Sequence, residues 1–145
     1  MSNITRTGRG VWSGDLRGGQ GRLSLGSGVL EDEPYSFKTR FKNAPGTNPD
    51  ELIAAAHAAC YSMAFAGALS EKGYEPEAIE THATITLEPV DGGFKISKMH
   101  LEVRGRVPEI DQDTFQRVAD EADKGCPVSN LLRPGLEIER EATLT

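Results

Sequence analysis

Two cysteines among 145 residues are too few for a disulfide-stapled secreted scaffold. Positive charge is also short. Sixteen Lys and Arg against 22 Asp and Glu give a formal net charge of −6, which argues against a broad phosphate-binding surface and against nucleic acid as a partner. No phosphate-binding glycine loop, G-x-S-x-G motif or dinucleotide fingerprint occurs, and no CxxC or HxxxH spacing points to a metal. The opening residues Met1-Ser2-Asn3-Ile4-Thr5-Arg6 lack the apolar core of a signal peptide, so a cytoplasmic location is expected. Only Leu52 to Ser70 could be mistaken for a membrane span, being free of Asp, Glu, Lys and Arg over 19 residues. Eight of those residues are Ala, and His57, Ser62 and Ser70 interrupt the run, which fits a buried helix better than a bilayer.

What is present fits one domain over residues 1–145. The glycine clusters Gly18-Gly19-Gln20-Gly21 and Gly26-Ser27-Gly28 divide an N-terminal β-meander into strands near 8–13, 21–26 and 34–42. In the third, Tyr35, Phe37, Thr39 and Phe41 alternate with polar residues, which predicts inward aromatics and puts Arg40 on the opposite face. Asn48-Pro49-Asp50-Glu51 is a helix start: a cap, a preset φ and two acids at the positive end of the dipole. The long central helix it opens should run to Lys72, with Gly73 as its stop.

Alternation at Ile79, Thr81, Ala83, Ile85 and Leu87, then Asp91-Gly92-Gly93, then a strand over 94–107, predicts a β-hairpin. Phe115, Val118, Ala119 and Ala122 mark a helix ending at Gly125. A short helix beginning at Cys126-Pro127 and a final strand over 136–144 complete an α+β chain. A helix over 49–72 would be about 36 Å long, close to the full width of a globular chain of this length. Being uncharged all round from 52 to 70, it needs cover on more than one face. A homodimer built on that helix would supply it, or the hairpin and terminal helices could do so within one chain.

Two reduced cysteines in an intracellular chain can be plain packing. Their settings suggest more. Cys126, between a helix-stopping Gly125 and a helix-starting Pro127, lies where backbone N–H groups favour a thiolate. Cys60 is mid-helix, where burial disfavours the charged form unless a cation is brought to it; Arg40 and Arg17 are the candidates. His57, three residues before Cys60 on the same face, is either the base of a Cys–His pair or a packed histidine bonded to a backbone carbonyl. A metal held by His57, Cys60 and Cys126 is a further alternative without motif support.

The run Gly46-Thr47-Asn48-Pro49-Asp50-Glu51 through His57-Ala58-Ala59-Cys60-Tyr61-Ser62-Met63, followed by Gly125-Cys126-Pro127-Val128-Ser129, resembles the OsmC/Ohr family of thiol-dependent hydroperoxide reductases, and its OsmC branch in particular. Trp12-Ser13-Gly14-Asp15, Pro34-Tyr35 and Thr39-Arg40-Phe41 extend the likeness over nearly the whole chain. The resemblance implies an OsmC-like α+β fold, two intertwined chains with active sites at their interface, and a two-cysteine peroxidase that prefers organic hydroperoxides. In it Cys60 would be the peroxidatic thiol, Cys126 the resolving thiol, Arg40 the cation beside the thiolate, and Glu51 the carboxylate that orients the arginine. The Ohr branch takes its arginine from a Gly-rich N-terminal segment, which makes Arg17, beside Gly18-Gly19, the second candidate.

Helix geometry adds a constraint. Nine residues separate Glu51 from Cys60, which puts them about 180° apart around the axis and about 13 Å apart along it. If both serve one active site, Glu51 and its arginine come from the partner chain. No cofactor, metal or membrane is expected; the partners are an organic hydroperoxide, an external dithiol of lipoyl type, and a second copy of the chain. Phe41, Tyr61, Phe65 and Leu132 either line an apolar mouth or are plain core. A non-enzymatic thiol- or metal-binding dimer and a redox sensor are the rival readings.

Overall fold

Glycine, proline and capping residues fix most element boundaries in the computed structural model, which describes residues 2–145. The chain divides into two units, one running to Leu52 and the other Ile53–Thr145. In the first, β1 (Gly8–Ser13), β2 (Gln20–Leu25) and β3 (Glu33–Tyr35) form an antiparallel meander in that order.

The strand expected over 34–42 ends at Tyr35. Ser36 instead caps a short helix, α1 (Phe37–Phe41): its Oγ accepts from the Thr39 N–H, and Thr39 Oγ1 accepts from the Ser36 N–H. This reciprocal capping box satisfies backbone groups locally. The aromatic spacing also serves a helix, since Phe37 and Phe41 are four apart and their rings meet at 4.7 Å. Arg40 therefore projects from a helical turn and not from the polar face of a strand.

Asn48 joins this turn to α2 (Pro49–Glu71). Its amide donates to the Thr39 carbonyl at 3.0 Å, while its side-chain oxygen accepts from the Glu51 N–H at 2.9 Å.

In the second unit α2 buries Ala54, His57, Tyr61, Phe65 and Leu69, one residue per turn. The helix stops at Gly73, whose φ of +88° suits only glycine readily. A hairpin of β4 (Ala78–Val90) and β5 (Gly93–Arg106) follows, and β6 (Glu137–Leu144) lies parallel to β5, making β5 the central strand.

Met99, Leu101 and Val103 of β5 are fully buried, together with Phe115, Val118 and Ala119 of α3 (Gln112–Gly125). Phe115 lies directly over Gly105, where a Cβ would come within 2.6 Å of the ring. Phe65 bridges Tyr61 and Phe115 with centroid separations of 5.8 and 5.1 Å, and the Tyr61 hydroxyl donates to the Ala119 carbonyl at 2.7 Å.

By length and composition α2 is apolar enough to cross a membrane. Tyr61, Phe65 and Leu69 are nevertheless wholly buried in the protein core. Another stripe of the helix, Ala56, Ala59, Met63 and Gly67, is exposed, with Met63 at 78%. Cover within the second unit thus reaches only part of the helix.

Candidate active site

Cys60 sits mid-way along α2, and Cys126 forms the N-cap of α4 (Pro127–Leu132). The chain leaves α3 at Gly125, takes an extended conformation at Cys126 and enters α4 with Pro127 at its first position. That path brings two residues 66 positions apart to an Sγ–Sγ separation of 3.3 Å, with both thiols free.

The first turn of α4 addresses both sulfurs. Ser129 N–H donates to Cys126 Sγ at 3.5 Å, and Val128 N–H donates to the sulfur of Cys60. Burial pushes the Cys60 thiol up from its ordinary value, as a mid-helix position implies; the Val128 N–H pulls it down, while the neighbouring Cys126 thiol adds to the upward push. Within this unit, then, the thiol form of Cys60 is favoured.

His57, one turn before Cys60, is fully buried and hydrogen-bonded through Nε2 to Ser129 Oγ at 2.7 Å. The sequence left a Cys–His pair or a backbone carbonyl as alternatives; the partner is a serine hydroxyl. Burial lowers the imidazole's pKa, opposed by the charge of Asp123 and reinforced by Arg133, which keeps the ring neutral. Ser129 was missed in the sequence, although a polar residue three positions after a helix cap shares the cap's face. Without that hydroxyl both ring nitrogens of the buried histidine would be unpaired.

At the far end of α4, Arg133 donates to Asp123 Oδ2 at 2.6 Å, and Arg140 of β6 pairs with Asp120 and lies 3.6 Å from Asp123.

Arg40 and Glu51 belong to the first unit. There Arg40 Nε and Nη2 donate to the two carboxylate oxygens of Asp50 at 3.1 and 3.2 Å, a bidentate pair. Glu51, expected to hold the arginine, is exposed, whereas Asp50 is only 6% exposed. Adjacent helical residues point about 100° apart, so only one of the two acids can face Arg40 within a chain. Arg17 stacks on the Phe37 ring at 4.8 Å and Arg40 lies 5.5 Å from the Phe41 centroid. Tyr61 and Phe65 are core and line no mouth. Among the described residues no three His, Cys, Asp or Glu side chains converge as a metal would require.

The family described as OsmC-like protein matches residues 41–141. Peroxiredoxin OsmC of Escherichia coli (strain K12) is 46% identical over 136 residues, covering 94% of this chain and 95% of that protein. Organic hydroperoxide resistance protein OhrB of Bacillus subtilis (strain 168) is 30% identical over 127 residues, covering 86% and 91%. The solved structure of OhrB from Bacillus subtilis superposes with a TM-score of 0.74 at 27% identity, covering 94% of this chain and 97% of that one.

Proposed function

This chain belongs to the family of OsmC-like proteins, and we infer from that membership and from its paired sulfurs that it is a thiol-dependent peroxidase reducing organic hydroperoxides to alcohols. The observation that carries the reading is the 3.3 Å approach of Cys60 to Cys126. Closure to a disulfide needs about 2.05 Å, a small movement for two side chains on adjoining helices.

In this reading the Cys60 thiolate attacks the distal oxygen of ROOH. The O–O bond breaks, ROH leaves after taking up a proton, and Cys60 becomes a sulfenic acid. The Cys126 thiol then displaces the hydroxyl, which departs as water with the thiol's proton, and an S–S bond forms. An external dithiol, of lipoyl type in our reading, reduces that disulfide by two exchanges. The cycle calls for no bound cofactor.

The raised pKa of the Cys60 thiol supports a role for a cation, and Arg40, oriented by a carboxylate at the head of α2, is the residue we assign. Asp50, which holds Arg40, precedes Cys60 by ten residues, about 15 Å along the helix axis, and that separation favours delivery of the arginine from a second chain. The exposed stripe on α2, Ala or Gly at three of its four positions, suits the close helix contact an intertwined homodimer requires. A cytoplasmic location fits a site that depends on a supply of reduced dithiol.

The test is the intact mass of the reduced protein after one equivalent of cumene hydroperoxide, with peptide mapping of both cysteines. Loss of two hydrogens with a Cys60–Cys126 crosslink is the expected result. An unchanged mass with both thiols intact would remove the peroxidase reading.

A further inference from the structure

His57 and Ser129 have no part in the electron balance above, yet both are fully buried and joined at 2.7 Å across the gap between α2 and α4. Each stands one helical turn from a cysteine: His57 precedes Cys60 by three residues, and Ser129 follows Cys126 by three. Ser129 is engaged twice, its hydroxyl with His57 and its N–H with the sulfur of Cys126. Its neighbour Val128 gives its N–H to Cys60. His57 Nδ1 has no partner among the described residues, so Nε2 makes the ring's one anchoring bond. Around it α4 has only six residues, with Val128 and Leu132 against the core and Leu131 75% exposed.

We propose that the buried His57–Ser129 hydrogen bond is a clasp that holds the first turn of α4 in register on α2, placing Cys126 to close on the Cys60 sulfenic acid. The inference rests on the peroxidase reading and concerns only its second step. His57 and Ser129 are positioning residues; neither touches the peroxide. The lowered pKa of His57 is consistent with this, since the neutral ring keeps its bond through the working range. Opening the clasp frees the short helix to shift, and a displacement of about 1 Å at a reacting atom can slow a step by about 100-fold.

The experiment separates the steps in rapid mixing. Alcohol release reports the attack by Cys60, and dimedone trapping against crosslink formation reports the lifetime of the sulfenic acid. Ser129→Ala breaks the bond, as does the double variant His57→Leu/Ser129→Ala, which leaves no unpaired nitrogen behind and so preserves the fold. His57→Gln keeps a hydrogen-bonding group at the end of the side chain. The expected result is alcohol release within about twofold of wild type in all three, with crosslinking slowed by about tenfold or more in the two broken variants and restored in His57→Gln.

Crosslinking at the wild-type rate in either broken variant would overturn the clasp while leaving the peroxidase intact. An equal loss of both steps would overturn it too, by making the bond general support for the site. Failure of the wild type itself to release alcohol would instead strike at the peroxidase reading.

Discussion

Neutralising Asp50 distinguishes the carboxylate that holds Arg40 from its neighbour. Asp50→Asn keeps an oxygen facing the guanidinium but removes the charge behind both hydrogen bonds, at 3.1 and 3.2 Å. Charge-assisted bonds contribute about 1.5–3 kcal/mol each, and these two lie beyond their best length of about 2.7–2.9 Å. The Arg40 side chain is 35% exposed, which screens the pair further. We expect a net loss of about 1–2 kcal/mol in the alignment of Arg40, read as a fall of about 5–30-fold in kcat/KM for cumene hydroperoxide.

Glu51→Gln is the matched control. Both acids occupy the first turn of α2, so each substitution removes a similar dipole contribution of about 0.3–1 kcal/mol, and the difference between the variants isolates the contact with Arg40. Glu51→Gln should stay within about threefold of wild type. A fall for Glu51→Gln as large as that for Asp50→Asn, with both variants folded, would refute the reasoning. It would mean that Arg40 is held in the working enzyme by the acid that points elsewhere within this chain.

The active-site assignment in trans predicts that mixing inactive Cys60→Ser and Arg40→Ala chains restores activity; no recovery after verified subunit exchange would refute it. Gly105→Ala should cost about 1–3 kcal/mol, lowering Tm by several degrees, because the added Cβ would meet the Phe115 ring at 2.6 Å and Ile79 Cδ1 at 3.2 Å. An unchanged Tm would show that Phe115 yields freely. His57 has a folded pKa below its ordinary value, so its contribution to stability is present above about pH 6.5 and is lost as pH falls through the folded pKa, the unfolded chain taking up the proton first. His57→Gln should therefore narrow the difference in unfolding free energy between pH 7 and pH 5, measured in urea; an unaltered difference would count against a neutral buried ring.

Element boundaries in the second half were legible because they are written in residues with one conformational meaning. Gly73 stops α2, Asp91-Gly92 turns the hairpin, and Gly125-Cys126-Pro127 divides α3 from α4. The stretch 34–42 misled because its aromatics fit two periods at once, and the deciding feature was the Ser36 and Thr39 capping box, a local exchange of two hydrogen bonds. The parallel seating of β6 on β5 depends on partners distant in sequence and has no local sign. At the site, the settings of the two cysteines marked them as more than packing, but their 3.3 Å approach joins positions 66 apart and has no local sign. Which of two adjacent acids faces Arg40 was not legible, since one residue is a rotation of about 100° that only the finished fold resolves. Ser129 escaped notice because its significance depends on His57, 72 positions away.

The buried face of α2 has consequences for the order of synthesis. Its partners Met99, Leu101, Phe115 and Ala119 all lie downstream, as does Cys126, 66 residues after Cys60. At about 5–20 residues per second a ribosome needs on the order of 3–13 seconds to make that stretch. Throughout that interval the nascent chain carries the charge-free stretch 52–70 without its cover and Cys60 without its neighbouring thiol. The apolar face of α2 is therefore open to aggregation until the second half of the fold has been made.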